Sequence, residues 1–199
     1  MKTISAIKLL SLLSILLGLS LGNTLLAQNQ YKLAGKPELK VQGTSTLHDW
    51  EMTSVQAQGK AEMTLEGATL KNVKSASVIL KTASVKSGTA KMDEIAYESL
   101  KAGKYSDIVF TLTSFRTLDN NSAQVTGNLT IAGTTRPVTF NVETSTKSGT
   151  VQLAGEANIK FTDFGIKPPT ALLGTVKTGN ELKLSFKASF QPIATYSKN

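Results

Sequence analysis

Period-two alternation of apolar and polar residues runs through most of this chain and constrains its fold more than any other feature. From Leu39, the odd positions Val41, Gly43, Ser45 and Leu47 are apolar or small, with Lys40, Gln42, Thr44 and Thr46 between them. From Val55 the odd set is Ala57, Gly59, Ala61, Met63 and Leu65, against Gln56, Gln58, Lys60, Glu62 and Thr64. Ile108/Phe110/Leu112, Val125/Gly127/Leu129/Ile131 and Val138/Phe140/Val142 follow the same rule. So do Val151/Leu153/Gly155/Ala157/Ile159/Phe161 and Leu182/Leu184/Phe186/Ala188/Phe190, and, less cleanly, Ala76/Val78/Leu80. Successive side chains of a strand point to opposite faces, so each segment reads as a strand with one buried and one wet face.

Eight strands result. Short polar turns at Gly133-Thr134-Thr135, Lys147-Ser148-Gly149 and Thr178-Gly179-Asn180 favour antiparallel hairpins. The strands around 51–66 and 149–161 are too long to lie flat, so the sheet is expected to coil and close. The expected class is all-β, an eight-stranded antiparallel barrel with one short helix. Eight strands close around side chains or around one small ligand. Glycine and alanine at inward positions (Gly59, Gly127, Gly155, Ala57, Ala61, Ala157, Ala188) relieve crowding where strands bend, and they favour an apolar pocket over a filled interior.

Two stretches leave the alternation. Asp93–Gly103 reads as the helix, with Asp93 as N-cap, Gly103 as its left-handed end, and Met92, Ile95, Ala96 and Leu100 turned inward over one barrel mouth. Thr162–Thr178 contains Pro168-Pro169 and Ala171-Leu172-Leu173, a long connection of the kind that forms lids or binding loops.

The N-terminus is a separate matter. Lys2 and Lys8 precede Leu9-Leu10-Ser11-Leu12-Leu13-Ser14-Ile15-Leu16-Leu17-Gly18-Leu19, and Leu25-Leu26-Ala27 supplies a small residue at the end. That is the plan of a secretory signal peptide over residues 1–27, and the apolar run is shorter than the ~20 residues a spanning helix needs. An uncleaved membrane anchor is the other reading. With cleavage, residues 28–199 form one domain in the periplasm or outside the cell.

Composition removes several chemistries. The chain of 199 residues holds no cysteine, so a disulfide framework, a thiolate metal site and a cysteine nucleophile are all absent. Its one histidine, His48, and its dispersed carboxylates do not assemble a usual metal site. The net charge is +8, but only Arg116 and Arg136 are arginines and the lysines are scattered. Nucleic-acid readers cluster such charge on one face, so no nucleic-acid partner is expected, while transient contact with an anionic membrane surface is compatible. Ser45-Thr46-Leu47-His48-Asp49 groups a nucleophile, a base and an acid, yet on a strand Ser45 and His48 point to opposite faces and only a bulge would bring them together. The preferred reading is a structural corner, with His48 and Asp49 satisfying backbone groups and Trp50 at the rim. No catalytic residue and no metal ligand is assigned. Arg136 is expected to pair with an acid such as Asp163 or Glu143.

Four segments carry a resemblance. Gly43-Thr44-Ser45-Thr46-Leu47-His48-Asp49-Trp50 resembles the opening of the YceI-like family of polyisoprenoid-binding, lipocalin-like exported bacterial proteins. Met92-Asp93 through Lys101 leading into Lys104–Phe110, Gly127–Val138, and Phe161-Thr162-Asp163-Phe164-Gly165-Ile166 resemble later segments of that family, in its order. The family more often has proline where this chain has Ser106, and the His-Asp-Trp form of the opening resembles a sub-branch.

The resemblance implies a lipocalin-like barrel with an elongated apolar cavity that holds a long isoprenoid or quinone-like lipid, with no cofactor and no catalytic residues. From parity, the lining residues would be Val41, Leu47, Met63, Val78, Ile108, Phe110, Leu112, Val125, Leu129, Ile131, Phe140, Leu153, Phe161, Phe164, Leu184 and Phe186. The partner would be a hydrophobic lipid and the protein a monomer or homodimer. The alternative is a packed barrel that recognises a partner or a membrane surface through its lysine-rich exterior.

Overall fold

A computed structural model describes residues 29–193, so the expected leader over 1–27 lies outside the described residues. In chain order the strands are β1 (Asn29–Ser45), β2 (Trp50–Ser54), β3 (Ala57–Glu66) and β4 (Thr69–Lys81), followed by helix α1 (Ala90–Ser99). After the helix come β5 (Asp107–Thr117), β6 (Ser122–Ile131), β7 (Thr134–Lys147), β8 (Thr150–Lys160), β9 (Thr170–Ala171) and β10 (Val176–Pro192). Neighbouring strands pair antiparallel from β3 through β8, β8 pairs with β10, and β10 returns to β1. The sheet is therefore a closed eight-stranded antiparallel barrel with one helix, and closure removes the open edges of a flat sheet.

The long strand expected over 51–66 is divided. Its first part, β2, pairs with Leu39–Gly43 of β1, and its second part, β3, pairs with Asn29–Lys32. Parity changes across the break: Met52 and Ser54 are buried in β2, whereas Ala61 and Met63 are buried in β3. Val55 falls in the break and is half exposed, so the inward series begins at Ala57 and not at Val55. β1 also starts ten residues before the expected Leu39, with Gly35 at φ +70° where its pairing to β10 slips.

The helix begins earlier than expected and is capped differently. Thr89, in extended backbone, is the N-cap, and Asp93 sits within the first turn. The Asp93 carboxylate is buried because it accepts both the backbone N–H (2.7 Å) and the hydroxyl (2.8 Å) of Ser87, tying the preceding connection to the helix. At the other end Lys101, at φ +52°, takes the left-handed position expected of Gly103. The N–H of Ala102 then donates to the Tyr97 carbonyl. A helix terminus needs its free carbonyls satisfied, and here that bond overrides the preference for glycine.

Asp93 also responds to pH. The Ser87 backbone N–H, more than its hydroxyl or Lys86, holds the Asp93 carboxyl below its ordinary range, against the opposing effect of burial. Its folded pKa is lower than its unfolded one, so its contribution is complete above the unfolded value of ~4 and is lost as pH falls through the folded one. Asp93→Asn is expected to destabilise the protein by ~1–3 kcal/mol at pH 7, as measured by urea unfolding. The gap from wild type should narrow as the pH drops below ~4. A gap that stays constant with pH would show that the charge does not matter.

The buried apolar residues form two clusters, and β1, β5, β8 and β10 contribute to both. Tyr31, Ala61, Met63, Leu70, Val73, Val151 and Phe190 pack together at one end of the barrel, with Tyr31, Met63 and Val151 at most 1% exposed. Burial there pushes the Tyr31 hydroxyl pKa up. Leu129, Phe140, Ile159, Phe161, Phe164 and Leu182 belong to the cluster at the opposite end. The first cluster plugs its end with side chains packed to exclude water.

Candidate functional site

Between the clusters the barrel is not filled. A cavity of about 520 Å³ runs along its interior, within the ~300–1,000 Å³ of small-molecule sites. All sixteen residues expected from parity line it, from Val41 to Phe186, but they do so at different depths. Met63 lies at the plugged floor, and Val78, Ile108, Phe110, Leu129, Phe140, Leu153 and Leu184 form the wall. Leu47 does not belong to the wall: it sits in the turn after β1, 66% exposed, at the rim.

Aromatic rings define the wall's shape. Phe140 packs edge-on against Phe110 and Phe186, with centroids 5.7 and 5.5 Å away. The inward glycines make room for these rings. A Cβ on Gly127 would collide with the Phe110 ring, and one on Gly155 would collide with Phe186 and Val142. These glycines relieve crowding by neighbours and do not themselves leave open space.

Residues that strand parity did not reveal complete the site. From α1, Met92, Ile95, Ala96, Ser99 and Leu100 line the cavity, so the helix covers the mouth as expected despite its shifted start. Pro169, Thr170, Ala171 and Leu172, from the connection after β8, line it from another side. This connection is not irregular throughout: it contains a 3₁₀ turn (Phe161–Phe164), β9 and a second turn (Leu172–Gly174). Their signal in the sequence was the apolar Ala171-Leu172-Leu173 run, which parity cannot orient.

Among the described residues no carboxylate lines the cavity, and the charged residues of its lining are Lys40 and Lys91. Lys40 is paired with Glu51 at 3.2 Å, and Lys91 with Glu94 at 2.7 Å. Of the other polar lining residues, Ser45, His48, Thr170 and Thr178 come from the rim loops and the ends of the adjoining strands, Ser99 from α1 and Ser185 from within β10. The interior is therefore suited to an apolar chain, and the mouth to a polar end group.

Ser45, His48 and Asp49 form a backbone-bound corner. The Ser45 hydroxyl donates to the His48 carbonyl (2.7 Å) and accepts the N–H groups of Leu47 and His48. His48 Nδ1 donates to the Asp49 backbone carbonyl at 2.6 Å, away from both the serine oxygen and the carboxylate. A catalytic triad requires a side-chain relay, which this is not. Trp50 closes the corner through Nε1 to the Thr44 carbonyl (3.0 Å), with its ring 6.4 Å from that of Phe161. Arg136 does not form the expected ion pair: its Nε donates to the Asp163 backbone carbonyl at 2.8 Å. The Asp163 carboxylate is engaged with the Lys160 N–H, which stabilises the turn after β8 instead. Among the described residues no three His, Cys, Asp or Glu side chains gather as a metal site.

Fold and cavity together define an antiparallel barrel, plugged at one end and lined mainly by apolar side chains. The chain belongs to the YceI-like family, whose domain model matches residues 34–190. A UPF0312 protein of Pseudomonas putida is 38% identical over 109 residues, 50% of this chain and 56% of that protein. A Pseudomonas syringae pv. syringae UPF0312 protein is 32% identical over 118 residues, 55% of this chain and 59% of its own length. The chain thus spans rather more than half the length of these relatives.

Among solved structures, Burkholderia cenocepacia BcnA superposes with a TM-score of 0.64 at 19% identity, covering 80% of this chain and 96% of that one. A polyisoprenoid binding domain from Saccharophagus degradans, implicated in plant cell wall breakdown, gives 0.61 at 11% identity, with 82% and 98% covered. At these identities the likeness concerns the fold.

Proposed function

We propose that this protein is an exported binding protein that holds a long isoprenoid or similar amphiphilic lipid, a quinone-like one included, in the barrel cavity. The observation that carries the reading is the cavity above a closed floor, whose wall is aliphatic and aromatic and most of whose polar groups stand towards the mouth. Membership of the YceI-like family and the fold shared with a polyisoprenoid binding domain support it.

The energetics are adequate. Each buried CH₂ contributes ~0.8 kcal/mol, so a chain of ten or more carbons binds without any hydrogen bond. Ordering the chain and losing its free motion offset part of that gain. The tail enters first, because the floor at Tyr31, Met63 and Val151 is closed and most polar lining groups stand at the mouth. Protein and lipid then separate only through the mouth. The basic start and apolar run of residues 1–27 support export.

The test is solvent extraction of the purified protein followed by lipid mass spectrometry. One prenyl-type lipid per protein is expected. An empty extract, together with failure to take up added isoprenoid quinone, would overturn the proposal.

A further inference from the structure

The mouth carries an exposed apolar tip that a soluble carrier would not need. Leu173 is fully exposed, and its neighbour Leu172, also on the cavity rim, is 71% exposed. Both adopt left-handed backbone, φ +56° and +49°, followed by Gly174 at +86°. Bulky side chains avoid that region, and strain of this kind points to a function outside the packing of the fold itself.

The strand that leaves the tip is tied to the turn after β1. The N–H of Thr46 donates to the Lys177 carbonyl (2.9 Å), and the Lys177 N–H returns a bond to the Thr46 hydroxyl (3.1 Å). This locks the loop bearing exposed Leu47 beside the strand that leaves the tip. Between Phe164 and Asn180 the chain has two lysines, Lys167 and Lys177, both exposed, and no acid.

We propose that this tip is a membrane wedge. Leu172, Leu173 and Leu47 enter the acyl boundary of an anionic phospholipid bilayer, Lys167 and Lys177 meet its headgroups, and the cavity mouth is thereby seated on the lipid surface. The proposal rests on the lipid-binding reading, because seating the mouth there lets a tail pass between bilayer and barrel without crossing water. Leucine at the tip and lysine behind it match the depth profile of an interfacial anchor. A second copy of the chain is a poorer occupant, since three leucines on a narrow tip fall short of the ~1,000 Å² that a stable interface buries.

The test is vesicle flotation with the chain as the expressing bacterium delivers it, the same N-terminus being verified by mass in every variant. Vesicles of phosphatidylethanolamine with phosphatidylglycerol are compared with phosphatidylcholine alone. Leu172→Ser with Leu173→Ser should weaken binding to the anionic vesicles by about tenfold, since an inserted apolar tip supplies most of such an anchor. Lys167→Gln with Lys177→Gln should weaken it there but not on phosphatidylcholine. Leu118→Ser removes a half-exposed leucine from the β5–β6 turn, at the plugged end, and should bind as wild type. A wild-type protein that ignores both vesicles, or leucine variants that bind as it does, would overturn the proposal. So would a concentration-dependent dimer that Leu173→Ser abolishes. The lipid extracted from each variant is measured in parallel. An empty cavity with intact flotation defeats the lipid-binding reading alone, whereas a loaded cavity with tip-independent flotation defeats the wedge alone.

Discussion

Phe140→Ala will lower the unfolding free energy of the lipid-free protein by ~3–5 kcal/mol, the range for truncating a buried aromatic side chain. For a chain of this size that is a fall in melting temperature of roughly 10 °C. Phe140 is 8% exposed and is the ring on which Phe110 and Phe186 both lean. Its removal takes away two edge-on contacts and leaves a void beside an existing cavity. Added isoprenoid should restore part of the loss, because a ligand that binds only the folded state stabilises it and would fill the same void. Thermal scans with and without lipid check both halves. A change below ~1 kcal/mol would mean that the aromatic cluster does not support the barrel.

Ala76→Phe will abolish retention of a long tail while leaving the barrel folded. Ala76 lies on β4 beside Ala61, near the floor, and lines the cavity. A ring placed there displaces about four methylenes of an occupant, ~3 kcal/mol, which is roughly a hundredfold in affinity. The expected destabilisation from overpacking is smaller, ~1–3 kcal/mol, because the ring projects into free volume. Lipid mass spectrometry of the extract, with circular dichroism to verify the fold, gives the answer. Undiminished lipid in a folded variant would mean that tails do not reach the floor.

The alternating pattern carried most of the architecture. Strand count, antiparallel order and barrel closure follow from it because a half-buried strand repeats every two residues and register locks that repeat to the core. The same repeat oriented Val41, Phe110, Leu129 and Leu184 towards the interior, where they line the cavity. It failed where the backbone leaves the extended form. The break at Val55 and Gln56 reverses parity, since leaving the extended form there exchanges the two faces. Leu47 lies beyond the end of β1, where the alternation no longer has meaning. Spacing makes Asp93 look like a cap, whereas its carboxylate reaches back to Ser87, a contact that spacing alone does not separate from capping. Arg136 was matched to an acid by charge, yet the geometry of the turn offers it a carbonyl.

Local chemistry along the chain therefore determined the strands and their faces, because these depend on neighbours one or two positions away, and composition alone excluded thiol chemistry. Which end is plugged, where the mouth lies and what surrounds it were decided by tertiary structure. Helix α1, the β1 turn and the Leu172–Leu173 tip come from segments far apart in the chain, and only barrel closure brings them to one rim.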